Sequence, residues 1–96
     1  MYVVSYDIES DRIRNRVSKE LMNYGKRVQY SVFECRIDKE KCDILINRLS
    51  KLISENEAKC GNIIIYRICK NCESVIHVLG DGSNRNICED KSVIII

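Results

Sequence analysis

A chain of 96 residues, 45% hydrophobic and 31% charged, describes one small globular domain and excludes a disordered or fibrous chain. A domain of this size buries a limited share of its surface, so pairing with a second copy is an expected source of stability. The longest apolar runs, Ile63–Tyr66 and Val93–Ile96, are far too short to span a membrane, and no basic, apolar leader opens the chain, which predicts a cytoplasmic protein with no membrane partner.

The net charge of +2 hides a concentration of bases. Arg12, Arg14, Arg16, Lys19, Lys26 and Arg27 face a single acid, Glu20, between positions 12 and 27, whereas residues 37–96 hold equal numbers of bases and acids. A cluster of this kind is a footprint for phosphate, and solvated helix faces carry the same residues.

The first nine residues, MYVVSYDIE, read as a strand. Tyr2, Val3, Val4, Tyr6 and Ile8 suit a pleated, largely buried surface, and Asp7 places a carboxylate at the strand's end. A charge is expensive to bury without a partner, so Asp7 must be paired or emerge at the sheet edge. Ser10 or Asp11 then caps a helix to about Tyr24, with Ile13, Val17, Leu21 and Tyr24 on one stripe and Gly25 as the C′ residue that ends it. From Lys26 to Ile37 the residues Val28, Tyr30 and Val32 alternate in one phase and Phe33, Cys35 and Ile37 in the other. That change of phase calls for a bulge, a bend or a tight hairpin near Tyr30–Val32.

Asp38 caps a second helix to about Asn56, with Cys42, Leu45, Leu49, Leu52 and Ile53 on its apolar face. Gly61 and Asn62 form a break before a strand at Ile63–Ile68. Cys69-Lys-Asn-Cys72 is expected as a turn leading to another strand, Val75–Leu79, which carries His77 in a structural role. Residues 80–91 are polar and irregular, and 92–96 are expected as a last strand at a dimer or partner contact. With a hairpin at 26–37, the order is that of an α+β, ferredoxin-like βαββαβ sandwich with an extra C-terminal strand, in a single domain over 1–96 with its core at about 1–79. Two helices then cover one sheet face, and the open apolar face predicts a homodimer packed through the sheets.

Three blocks now stand in order: Tyr6-Asp7-Ile8 closing the first strand, Arg14-Asn15-Arg16-Val17 on the helix, and the twelve residues Tyr24 to Cys35, YGKRVQYSVFEC. Together they resemble the CRISPR-associated protein Two family, and the CxxC and apolar tail follow that pattern more loosely. The resemblance implies a homodimer in the CRISPR adaptation machinery that bridges two dimers of the larger integrase subunit and takes part in integrating new spacer DNA. It further implies a metal-dependent endoribonuclease acting on single-stranded RNA. The alternatives it leaves are an endonuclease for duplex DNA and a non-catalytic adaptor bridging integrase dimers on DNA. By the same resemblance, Asp7 and Tyr6 are the catalytic positions, Asp7 facing its mate across the two-fold axis and holding Mg²⁺ or another divalent cation. Arg14, Arg16, Arg27 and Phe33 are the positions for nucleic acid, whether RNA or DNA.

The residues themselves set limits on this chemistry. Mg²⁺ commonly uses one or two carboxylates together with substrate oxygens, so one Asp per chain, doubled by symmetry, meets the minimum. The competing reading of Asp7 is a strand-end acid paired with a nearby Arg. Tyr6, Tyr30 and Phe33 are either stacking platforms or packing residues, and packing in the core or a dimer seam is favoured for Tyr30. Six cysteines without a secretory context read as buried free thiols. Cys69 and Cys72 lack a second ligand pair for zinc, and their expected place between strands argues against a thioredoxin-like pair. No P-loop, GxSxG or HExxH pattern occurs, nor any motif for a small-ligand pocket.

Overall fold

The computed structural model describes residues 1–55 and 61–80. Its elements run β1 (Tyr2–Ile8), α1 (Asp11–Leu21), β2 (Lys26–Gln29), β3 (Val32–Cys35), α2 (Lys39–Glu55), β4 (Gly61–Arg67) and α3 (Lys70–Glu73). Through β4 this is the expected βαββαβ order. The strands form one antiparallel sheet in the order β2-β3-β1-β4, which places β1 at the centre of the fold. The polar loop at 80–91 and the C-terminal strand expected at 92–96 lie outside the described residues, apart from Gly80.

Period-two alternation sends the side chains of β1 to two different environments. Val4, Tyr6 and Ile8 are buried under the helices, while Val3, Ser5 and Asp7 point to the other face. Phe33 and Cys35 of β3 lie beside Val4 and Tyr2 in register and join the same core. Each helix contributes one stripe to it: Ile13, Val17 and Leu21 from α1, and Cys42, Leu45 and Leu49 from α2. Both N-caps form as the sequence predicts. Ser10 Oγ accepts from the Ile13 N–H at 3.3 Å, and Asp38 Oδ1 accepts from the Lys41 N–H at 2.8 Å.

The phase change in 26–37 has two causes. Residues 30 and 31 make the turn of a β2–β3 hairpin, and a bulge at Val28 sets Arg27 opposite Phe33 but Gln29 opposite Val32. The extra residue flips the side-chain phase, so Arg27 faces the helices and Gln29 the open side. Tyr30 stands at the hairpin tip and is 70% exposed, so it is not a core residue.

Three other expectations are corrected. Helix α1 stops at Leu21 with Met22 as its C-cap, and Gly25 is not the left-handed C′ residue. Glycine is needed at position 25 because a Cβ would overlap the Glu34 carbonyl oxygen as the chain passes β3. Gly61 and Asn62 belong to β4 rather than to a break before it. Val75–Leu79 is not a strand: the segment leaves a short helix and forms no ladder with the sheet, so strand-forming side chains alone do not make a strand here. His77 is exposed there instead of lying within an apolar strand.

Candidate metal centre and nucleic-acid surface

Asp7 is exposed on the open face at the C-terminal end of β1, one residue short of the strand's last. Its position follows from parity: the two residues flanking it, Tyr6 and Ile8, are turned into the core. Directly across the β1–β4 ladder stands Asn62, whose side chain shares the open face with the carboxylate. Next to it Gly61 opposes Ile8 with φ 137°, and a Cβ at that residue would overlap the Asp7 carbonyl oxygen. Glycine therefore lets β4 approach β1 closely beside the acid.

Asp7 and Tyr6 are not brought together. Tyr6 is 3% exposed on the helix side, with its ring centroid 6.3 Å from that of Phe33. Phe33 is fully buried and has no face to offer a nucleobase. Its visible part in electrostatics is through Arg27, whose guanidinium carbon lies 5.5 Å from the ring centroid while the same group donates to Ser18 Oγ of α1. In this chain both rings expected at the site, Tyr6 and Phe33, are packed on the helix side, away from the face that carries Asp7.

The three arginines have different surroundings. Arg14 reaches from α1 to the end of β1, donating to the Ile8 carbonyl at 2.9 Å and to Asp11 Oδ1, with its guanidinium carbon 5.7 Å from the centroid of Tyr30. The hydrogen bond to Asp11 raises its pKa further above the ordinary arginine value. This arginine is anchored on the residue that follows Asp7. Arg16 is exposed and lines the groove between α1 and α2 with Lys19, Asn23, Arg48 and Lys51. Arg48 and Glu20 form an ion pair across this groove at 3.5 Å. The phosphate footprint in the sequence thus divides between the mouth of β1 and the helical surface.

Further along, the open face mixes apolar and charged residues. Ile64 and Tyr66 of β4 are 45% and 49% exposed, and Val3 lies between Tyr66 on one side and Glu34 on the other. Lys26 opposes Glu34 on β2. Asn62 is the feature that sequence reasoning missed, because its place beside Asp7 is a matter of strand register, which no local signal near residue 62 reveals.

Could this site take a divalent cation? Among the described residues of one chain, no three His, Cys, Asp or Glu side chains converge as a metal cluster. One exposed carboxylate with an amide beside it is nonetheless a hard-oxygen donor set, and Mg²⁺ retains several waters and substrate oxygens in such sites. The residues fit a cation that is completed by a second copy and by substrate, not one caged within a single chain.

The sequence profile of the family described as CRISPR associated protein Cas2 matches residues 1–76. The chain belongs to the Cas2 family. A protein named CRISPR-associated endoribonuclease Cas2 1 from Chloroflexus aurantiacus is 37% identical over 93 residues, 97% of this chain and 98% of its own. The crystal structure of Streptococcus pyogenes Cas2 at pH 6.5 superposes with a TM-score of 0.70 at 30% identity, covering 82% of this chain and 98% of that one. A chain of a partial Cas6-RT-Cas1–Cas2 complex gives a TM-score of 0.67 at 29% identity, covering 74% of this chain and 80% of that one. The ferredoxin-like α+β fold read from the sequence is that of the Cas2 structures. Among the described residues, no helix is long and apolar enough to cross a membrane.

Proposed function

We propose that this Cas2-family protein acts in CRISPR adaptation as a homodimer and cleaves single-stranded RNA with a divalent cation, Mg²⁺ in the first instance, held at Asp7. The observation that carries the reading is the exposed Asp7 carboxylate at the end of the central strand, on the same face as exposed Ile64 and Tyr66. Pairing two such faces covers the apolar surface and sets one Asp7 against another. Two carboxylates at close range repel unless a cation or a proton lies between them. The seam therefore favours cation binding without further acids from either chain.

A cation bound there supplies Lewis-acid polarisation of a phosphodiester oxygen and a more acidic bound water. The protein's own contributions are then specific. The Asp7 carboxylate holds the cation, and the Asn62 amide beside it donates a hydrogen bond to a phosphate or water oxygen. Arg14, fixed on the Ile8 carbonyl, neutralises a neighbouring phosphate. Tyr6, packed behind the strand against Phe33, keeps β1 rigid beneath the acid. Cytoplasmic RNA, rather than a membrane surface, is the substrate.

A second reading is favoured by the thin donor set of one chain and by the Cas1–Cas2 complex named for the structural neighbour. Here the dimer is an adaptor that bridges two dimers of the Cas1 integrase along duplex DNA, or cuts such DNA. Labelled single-stranded RNA and duplex DNA, incubated with Mg²⁺ or EDTA, separate the readings. Asp7→Asn is expected to lower Mg²⁺-dependent RNA cleavage at least about a hundredfold with an unchanged unfolding midpoint. Cleavage that survives in the purified variant removes Asp7 as the metal ligand. Loss of cleavage with intact spacer integration assigns the adaptation role to bridging alone.

A further inference from the structure

Cys69 and Cys72 take no part in the phosphodiester chemistry, and they lie at the opposite end of β1 from Asp7. The ladder runs from Ile8 opposite Gly61 to Tyr2 opposite Arg67, and the two cysteines follow directly after it. Contrary to the expectation of a plain turn between strands, Cys69 is the N-cap of α3, with φ −76° and ψ 169°, and Cys72 lies within its single turn. The Glu73 N–H donates to the Cys69 carbonyl at 2.9 Å, which closes the turn and stacks positions 69 and 72 on one side. Both thiols are free and exposed. Among the described cysteines the other two, Cys35 and Cys42, are also free but buried, and burial pushes the Cys35 thiol up to about 11.

The turn is also held in place from outside. Glu73 accepts from Arg36 at 2.8 Å and pairs with the Met1 amine at 3.5 Å. Met1 and Ile68 exchange backbone hydrogen bonds at 3.2 and 2.8 Å. An anchored turn keeps two thiols adjacent without further ordering, which is the geometry a short-loop disulfide requires.

We propose that Cys69 and Cys72 form a redox-active dithiol that exchanges with small disulfides of the glutathione class and closes reversibly to a Cys69–Cys72 disulfide. Cys69 Sγ, as thiolate, attacks one sulfur of the small disulfide. The S–S bond breaks, and one small thiolate leaves and takes up a proton. Cys72 then gives its proton to solvent and attacks Cys69 Sγ in the mixed disulfide, expelling the second small thiolate, which is protonated in turn. Two protein thiols are oxidised, and one small disulfide is reduced to two thiols.

The order of attack follows from the opposite shifts of the two thiols. The neighbouring Cys72, through its amide and its thiol, holds the Cys69 pKa below that of an ordinary thiol, while the Cys69 side chain makes no capping hydrogen bond. Cys69 in turn raises the pKa of Cys72. The bond would fix the turn from which residues 75–80 depart, a segment whose Val75 and Leu79 are 60% and 59% exposed.

The test uses the full chain, reduced and then equilibrated in glutathione buffers of stepped oxidised-to-reduced ratio, with thiol alkylation mapped by peptide mass spectrometry. Cys69 and Cys72 should lose alkylation together, at ratios where Cys35 and Cys42 still alkylate after denaturation. Cys72→Ser should trap a mixed disulfide on Cys69 at least about tenfold faster than Cys69→Ser traps one on Cys72 at neutral pH. Circular dichroism checks that both variants fold. Any of three results overturns the proposal: Cys69 and Cys72 staying reduced until the buried thiols also oxidise, either one bonding to Cys60 or Cys88 instead, or equal trapping rates in the two variants.

Discussion

The two faces of the sheet obey different rules although one strand, β1, builds both. On the helical face Val4, Tyr6, Ile8, Phe33 and Cys35 have their partners within the chain and are at most 4% exposed. On the other face Val3, Asp7, Ile64 and Tyr66 have no helix over them among the described residues. The first face stores folding energy, and the second, on the proposed function, is surface for a cation, a substrate or a second copy. A substitution should therefore act on stability or on association according to the parity of its position, even between residues of similar chemistry.

The sharpest contrast pairs Phe33 with Ile64. Phe33→Ala removes a fully buried ring and should cost about 3–5 kcal/mol of unfolding free energy, read from denaturant midpoints. If the open faces pair as proposed, Ile64→Ser should raise the dimer dissociation constant at least about tenfold, equivalent to about 1.4 kcal/mol of association. The dissociated Ile64→Ser chain should keep its unfolding free energy within about 0.5 kcal/mol of the wild type. Sedimentation across a concentration series separates the two quantities. Equal losses of folding stability in both variants would erase the distinction between the faces.

Gly61→Ala tests the joint between them. The new Cβ overlaps the Asp7 carbonyl oxygen and occupies a backbone conformation, φ 137°, that only glycine adopts freely. A loss of about 1–3 kcal/mol is expected, together with a fall in cation-dependent cleavage beyond that caused by unfolding. Activity per folded molecule is the measurement that matters. If it is unchanged, the spacing of β4 from the acid is irrelevant to the site.

Much of this division was legible in the sequence. MYVVSYDIE alternates in a way that assigns Tyr6 and Asp7 to opposite faces, so their separation follows from the pleat. The stripes Ile13-Val17-Leu21 and Cys42-Leu45-Leu49 gave both helices their buried sides, and Ser10 and Asp38 gave their caps. Other features depend on contacts distant in sequence. The bulge at Val28 was visible only as a change of phase, because bulge, bend and hairpin leave similar patterns. Asn62 gained its place beside Asp7 through register, and Gly25 its necessity through a carbonyl on another strand. Val75–Leu79 has strand-forming side chains, but such side chains alone do not make a strand. Phe33 likewise owes its burial to pairing with Val4, which its own segment does not reveal.

The arginines give a smaller contrast. Arg16 is exposed in the helical groove, whereas Arg27 is engaged by Ser18 and Phe33. If Arg16 meets a phosphate, Arg16→Ala should lower the slope of log affinity against log salt by about 1 per contact without altering stability. Arg27→Ala should weaken binding and also lower unfolding stability by about 1 kcal/mol, since its contacts hold β2 to α1. Salt titrations of RNA and duplex DNA binding, beside melts of both variants, provide the comparison.

The smallest effect belongs to the anchored end of β1, where Glu73 joins Arg36 and the Met1 amine. The hydrogen bond from Arg36 holds the Glu73 carboxyl below the usual glutamate range, with the positive charges of Arg36 and Met1 adding to it. A folded-state pKa below the unfolded value means that the unfolded chain binds more protons in acid. The stabilisation is therefore complete above the unfolded pKa and is lost as pH falls through the folded one. Glu73→Gln removes that dependence and should cost at most about 1 kcal/mol at neutral pH, in keeping with an ion pair near the surface. Denaturant midpoints of the two proteins should differ by a constant amount above about pH 5 and converge below it. A gap that stays constant into acid would assign the Glu73 contribution to packing, and the end of β1 opposite Asp7 would then be held by the Met1–Ile68 backbone pair without its charges.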